Sequence, residues 1–258
     1  MTKEVITPPK PSKIKKVSAR KMYVKGLIYG EPGAGKTYLA CTAPKPLVLL
    51  TEPAVSDSTM LAVKRDLGVD PDVWEILEWN DLEEAFEYLQ SAQHPYETVV
   101  IDSLTDLYRR VMRLTINNAV EKRPQHDPDV PEKGDWFRVQ ERVRYIARMF
   151  RDLPMHVIFT ALVMDIRNEV RRVPLVQPKS LAQELPAYCN LVGYLGVQEI
   201  NGEYVRKLLV EPTDVYAAKN PGGALPPIVE NPNLRAIFDQ ITTLGITKGE
   251  VNNAKAIA

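Results

Sequence analysis

The stretch "GLIYGEPGAGKTYLA", residues 26–40, decides the fold. An apolar run ends in a glycine, and the pattern G-x-x-x-x-G-K-[ST] follows as Gly30, Glu31, Pro32, Gly33, Ala34, Gly35, Lys36 and Thr37. Glycines let the chain curl so that successive N–H groups point inward at phosphate oxygens. The free amides at the start of a following helix extend that cradle. A lysine at this spacing reaches the β- and γ-phosphates of ATP, and the threonine hydroxyl is a hard oxygen ligand for Mg²⁺. The context is the required one. "YVKGLIYG" alternates and then runs apolar, as a buried strand does, and "GKTYLACTA" continues as a helix that Pro44 and Pro46 stop.

Outward from the loop, strands and helices take turns. "PLVLLTE" reads as a second strand, residues 56–67 as a short helix, and "VWEILEW" as a further strand. A helix runs from Asp81 to about Gln90. "TVVIDS" is an apolar strand ending in Asp102, the acid that would hold Mg²⁺ from a neighbouring strand end. Leu104, Leu107, Val111 and Leu114 mark the next helix, and residues 122–133 form a charged, proline-rich loop. A helix with Asp135 as N-cap follows, its arginines (Arg138, Arg142, Arg144, Arg148 and Arg151) read as a solvated face. "HVIFTALV" is another buried strand. A polar, basic stretch leads to a hairpin turning at Asn201-Gly202, and a helix from about Asn233 to Thr243 closes the chain. The expected fold class is α/β, a mostly parallel sheet flanked by helices with a C-terminal β-hairpin. The expected division is an arm at residues 1–20, an ATPase domain at 21–245 and a tail at 246–258.

The chain of 258 residues is 45% apolar and 26% charged with zero net charge, so its bulk does not announce a nucleic-acid binder. The charge is uneven: residues 1–25 hold eight Lys/Arg and one acid among several prolines, an extended arm that is either solubilising or a contact for DNA phosphate or a neighbouring subunit. No apolar run approaches the roughly 20 residues that span a bilayer. Cys41 and Cys189 stand far apart and read as reduced, which with the missing leader predicts a cytoplasmic protein. The histidines, at positions 94, 126 and 156, are scattered and argue against a His-based centre.

In this order the motifs resemble the RecA-like P-loop ATPases, and more closely the AAA-type ATP-binding proteins that bacteriophages use in single-strand annealing and recombination. The resemblance covers about residues 20–230 and rests on "GEPGAGKT", "LLTE", "VVIDS", "DWFRVQERVRYIARMFRDLP", "HVIFTAL" and "YAAKNPGGALPP". Many AAA+ enzymes place a glutamate directly after the Mg²⁺ acid; here Ser103 stands there. The water-orienting acid then comes from elsewhere, and Glu52, at the end of "PLVLLTE", is the candidate, because parallel strands bring their C-terminal ends to one edge. Its other reading is a turn or capping acid before Pro53. Thr160 either senses the γ-phosphate or is a core threonine. The resemblance implies two DNA-facing loops, after "IDS" and after "HVIFTALVMD". The second carries Arg167, Arg171, Arg172 and Lys179, charges suited to a single strand held by its phosphates. It also implies that Lys219, in "AAKNPGG", acts on a neighbouring subunit's ATP, with subunits joined head to tail in a ring or filament. The function so implied is a Mg²⁺-dependent ATPase that binds single-stranded DNA and promotes annealing or recombination, in a host cytoplasm if phage-encoded and with a single-strand-binding protein as a further partner. The alternative is a nucleotide-dependent switch or assembly factor without DNA binding.

Overall fold

Strand β1 (Lys25–Gly30) runs through the middle of the sheet, buried from Gly26 onward. It feeds the phosphate loop and a helix, α1 (Lys36–Ala40), of only five residues. The computed structural model describes residues 21–91, 93–166 and 171–244. The basic arm at 1–20, Arg167 and the tail at 246–258 lie outside the described residues. Tyr23–Leu244 form one compact unit.

β2 (Pro46–Leu50) is fully buried. α2 (Pro53–Leu67) follows directly. It begins three residues earlier than the sequence predicts, because proline is accepted in a first turn whose N–H groups have no helical partner. β3 (Asp72–Glu75) precedes α3 (Trp79–Gln90), which starts before Asp81. Asp81 is instead the third helical residue, and its carboxylate accepts the backbone N–H groups of Leu77 and Glu78 at 2.7 Å each. β4 (Thr98–Asp102) is buried throughout, and Ser103 caps α4 (Leu104–Lys122) by accepting the Asp106 N–H at 3.2 Å. α5 (Lys133–Arg151) is capped by Glu132 and not, as the sequence suggests, by Asp135, which sits three residues further in a capping box.

β5 (His156–Asp165) extends ten residues and turns back as β6 (Arg172–Pro174), antiparallel to it. α6 (Lys179–Glu184) leads to β7 (Leu191–Ile200) and β8 (Glu203–Leu209). Their hairpin turns at Asn201 and Gly202, both at positive φ (54° and 85°), as a two-residue turn requires. β9 (Ile228–Glu230) adds an edge strand that the sequence did not signal, and α7 (Leu234–Thr242) closes the unit.

The strand order is β3-β2-β4-β5-β1-β7-β8-β9, with β6 beside β5. The strands from β3 to β7 pair in parallel, and β8 and β9 are antiparallel. This is the RecA-like P-loop arrangement: β5 separates the strand entering the phosphate loop from the strand ending in Asp102. Alternation along β1 sends Leu27 and Tyr29 into a core with α3, α4 and α5, and Ile28 into a second core with α1 and α7. Among the described residues no helix is long and apolar enough to cross a membrane.

The arginines of α5 are not a plain solvated face. Arg144 clamps Glu184 of α6 through Nε at 2.9 Å and Nη2 at 2.6 Å, and Arg142 lies 5.6 Å from the Trp79 ring centroid. Nor is His126 isolated. It is buried in the α4–α5 connection, with Nε2 2.7 Å from Asp135 Oδ2 and Nδ1 2.9 Å from the Asp127 carbonyl. Both ring nitrogens thus face acceptors, which calls for a doubly protonated ring. Burial opposes that charge, but the bonds to Asp135 and Asp127, with Glu132 nearby, raise the imidazole above its ordinary value. Asp135 is lowered: burial works against it and is outweighed by the Glu132 N–H, His126 and Arg138. His126 therefore stabilises the fold fully below its ordinary pKa of 6.5, and the contribution is lost as pH rises through the raised value. The contribution of Asp135 is lost as pH falls through its lowered value. Thermal unfolding of the wild type and His126→Gln across pH should show a gap that closes on the alkaline side; a gap constant with pH would disprove the charged pair.

Candidate functional site

The phosphate loop leaves β1 at Gly30, where a Cβ would fall on the Leu195 carbonyl oxygen of β7, so only glycine lets the two strands pair there. Gly35 enters α1 at φ 94°, a left-handed conformation that side chains resist. α1 is too short to contribute much dipole, so the loop amides and Lys36 carry the anion-binding character. The Lys36 ammonium donates to the carbonyls of Gly30 at 3.1 Å and Glu31 at 2.9 Å. Burial lowers its pKa, against the pull of Asp102, Glu31 and Glu52.

Asp102 is the centre of the site, 7% exposed. Its Oδ2 accepts the Thr37 hydroxyl at 2.6 Å and its Oδ1 accepts the Thr160 hydroxyl of β5. Behind it, Thr51 forms a latch. Its N–H donates to the Asp102 carbonyl at 2.9 Å, and its hydroxyl oxygen accepts the Ser103 N–H at 2.8 Å. The Asp102–Ser103 peptide is cis. A hydroxyl and a carboxylate, both hard oxygen donors meeting at the phosphate loop, suit Mg²⁺. Thr37 and Asp102 would hold it, and the bound ion would neutralise charge on the phosphates.

Glu52 lies just past β2, at the N-cap position of α2, on the same cavity as Lys36, Thr37 and Asp102. Its side chain makes no capping hydrogen bond, which disfavours the capping reading. Burial raises its carboxyl pKa, and the charges of Asp106 and Asp102 add to this, partly offset by Arg109 and Arg110. Such a carboxylate is a better proton acceptor than a free one. The cavity measures about 490 Å³ and continues past Tyr38, Ser56 and Thr59. Two further residues, Thr51 and Arg206, belong to this site beyond those the motifs mark. Thr51 gives no signal in the sequence. Arg206 does: it shares strand parity with the buried Leu208, so a charge falls on the inward side of the hairpin.

The other expected residues sit apart from the cavity. Arg172 lies on β6 rather than in a loop, with Nε 3.0 Å from Asp165 and Nη1 3.9 Å from Glu31 of the phosphate loop. Arg171 is exposed beside it, and Lys179 opens α6. Lys219 pairs with Val192 near the start of β7, and its ammonium donates to the Cys189 carbonyl at 2.8 Å. The first loop is acidic and organised around His126.

A family model described as an AAA domain matches residues 22–221. No curated protein matches the sequence. Among solved structures, a RadB recombinase is 19% identical over 80% of this chain and 86% of its own, with a TM-score of 0.42. A KaiC-like protein from the hyperthermophilic archaeon Pyrococcus horikoshii is 14% identical over 72% and 77%, with a TM-score of 0.37. The flagellar accessory protein FlaH of Methanocaldococcus jannaschii is 12% identical over 80% and 84%, at 0.39. Overlaps this loose say nothing of what the chain binds.

Replacing Lys36 with Ala removes the one ammonium inside the loop. Titration with a fluorescent ATP analogue should show affinity falling about tenfold or more; undiminished binding would refute the assignment of residues 30–37.

Proposed function

The chain belongs to the AAA domain family, and from that premise we propose a Mg²⁺-dependent ATPase that binds single-stranded DNA and promotes annealing or recombination. The observation that carries the ATPase reading is the contact of Asp102 with Thr37, beside a carboxylate, Glu52, whose surroundings favour proton uptake. In the reaction a water oxygen bonds to the γ-phosphorus as the bond to the β–γ bridging oxygen breaks. Glu52 orients that water and accepts its proton, while Lys36 offsets charge on the phosphates. Thr160, midway along β5 and bonded to Asp102, keeps that acid in place.

The DNA reading is supported by where the basic return segment ends. Arg171 and Arg172 follow β5, and the Arg172 guanidinium reaches the phosphate loop through Glu31. A strand gripped there is gripped next to the nucleotide. The reading extends to a head-to-tail ring or filament in which Lys219, remote from its own subunit's Lys36 and Asp102, serves a neighbour's ATP. It also includes a cytoplasmic setting, a phage origin and a single-strand-binding partner. The second reading, a nucleotide switch without DNA, draws on Arg172 being already engaged by Asp165 and resting 5.8 Å from the Tyr216 ring centroid.

Glu52→Gln should keep ATP affinity and slow hydrolysis by about 100-fold or more. The wild-type rate should fall in acid at a pH above the ordinary carboxylate range, because Glu52 must be deprotonated. Mixing Glu52→Gln with Lys219→Ala subunits should restore some activity if the lysine works in trans; no rescue at any ratio would rule that out. Separately, hydrolysis measured with and without single-stranded DNA over a salt series should show stimulation that fades as salt rises. Absence of both binding and stimulation at low salt would favour the switch.

A further inference from the structure

Strand β8 brings a cation to the nucleotide cavity that the phosphate-loop motif does not account for. In the hairpin ladder Leu195 stands opposite Leu208, and two positions on Val197 stands opposite Arg206. Residues two apart share a face of a strand. Arg206 therefore projects on the side of Leu208, which is packed in the core with Leu39 and Ala40 of α1. β1 ends at Gly30, opposite Leu195. Past that pair the hairpin extends beyond the end of β1, and Arg206 on its inward face reaches the phosphate loop.

The contacts there are specific. Arg206 Nε donates to the Ala34 carbonyl at 3.3 Å, and its guanidinium carbon lies 5.8 Å from the Tyr38 ring centroid. The side chain lines the same cavity as Lys36, Thr37 and Glu52. A Cβ at Gly35 would come within 2.7 Å of Arg206 Nε, so the close approach is one that a side chain there would block. Arginine has five N–H donors, of which the loop carbonyl uses one. Among the described residues no carboxylate forms an ion pair with it. A guanidinium steadied by a ring and a carbonyl, with its terminal nitrogens uncommitted beside a phosphate loop, is arranged for an anion.

We propose that Arg206 is a phosphate ligand of the bound nucleotide, supplied in cis by the β7–β8 hairpin. This rests on the reading that ATP occupies the cavity. The hairpin is then a wall of the triphosphate site.

The test is equilibrium binding of ATP and of inorganic triphosphate, each with Mg²⁺, to the full chain carrying Arg206→Ala, Arg206→Gln or Arg206→Lys. Loss of the charged contact should weaken both ligands about tenfold or more in the Ala and Gln variants, with Lys largely restoring them. Thermal midpoints of the unliganded variants should match the wild type. If Gln restores binding as well as Lys does, the arginine merely props the Ala34 carbonyl and the proposal is overturned. Wild-type affinity in Arg206→Ala overturns it equally. Should Ala lower the unliganded midpoint, the Gln-against-Lys comparison still decides. If the wild type itself binds no ATP, the ATPase reading fails and this proposal with it. If the wild type binds, Lys36→Ala does not, and the Arg206 variants bind normally, only this proposal fails.

Discussion

The Asp102 carboxylate accepts a hydroxyl on each oxygen, from Thr37 and from Thr160, and is almost wholly out of water. A buried carboxylate is costly unless its lone pairs are met, and here each partner arrives on a different element. Thr37 comes from the first turn of α1, and Thr160 from β5, the strand lying between β4 and β1. Since β5 separates the acid from the loop, its residue facing the gap has to be short and polar. Thr160 meets that demand at the point where β5 pairs with Ile28 of β1. The Thr51 latch then fixes the backbone on which the acid stands, and Arg110, donating to the Thr51 carbonyl at 2.9 Å, ties the same corner to α4.

Much of this arrangement was legible in the chain. The phosphate loop, Asp102 and Glu52 follow from strand ends, because a run of four or five apolar residues fixes where a strand stops and so where its last acid lies. The two-residue turn at Asn201-Gly202 is equally local. Helix starts were less legible. In sequence Asp81 looks like the start of a helix and Asp135 like a cap, yet each serves as the third helical residue of a capping box whose first member is a glutamate. Short-range chemistry allows both placements, and packing chooses. β9 has no signal in sequence because three residues carry no periodicity, and it exists through pairing with β8. Thr51 and Thr160 gain their roles only when strands distant in sequence are set side by side.

Charged side chains that look solvent-facing in sequence can be structural: Arg144 of α5 holds α6 through Glu184. Arg172 and Lys219, expected at DNA and at a neighbour's nucleotide, rest within this chain on Asp165 and on the Cys189 carbonyl. His126 organises the acidic connection between α4 and α5 from within. That connection is therefore a built part of the molecule with a charged pair at its centre, unlike the open, basic face that gripping a nucleic-acid backbone calls for.

The pairing of Gly30 with Leu195 bears on how the chain can be cut. β7 occupies one whole flank of β1, whose Leu27, Ile28 and Tyr29 are fully buried. A fragment ending before Leu191 would keep every residue of the phosphate-loop motif and both acids, and so look like a complete minimal core. It would nonetheless expose an apolar strand with a free ladder of N–H and C=O groups, a template for sticking to other chains. The last quarter of the chain is thus no detachable accessory, and a shortened protein would sooner aggregate than turn over nucleotide.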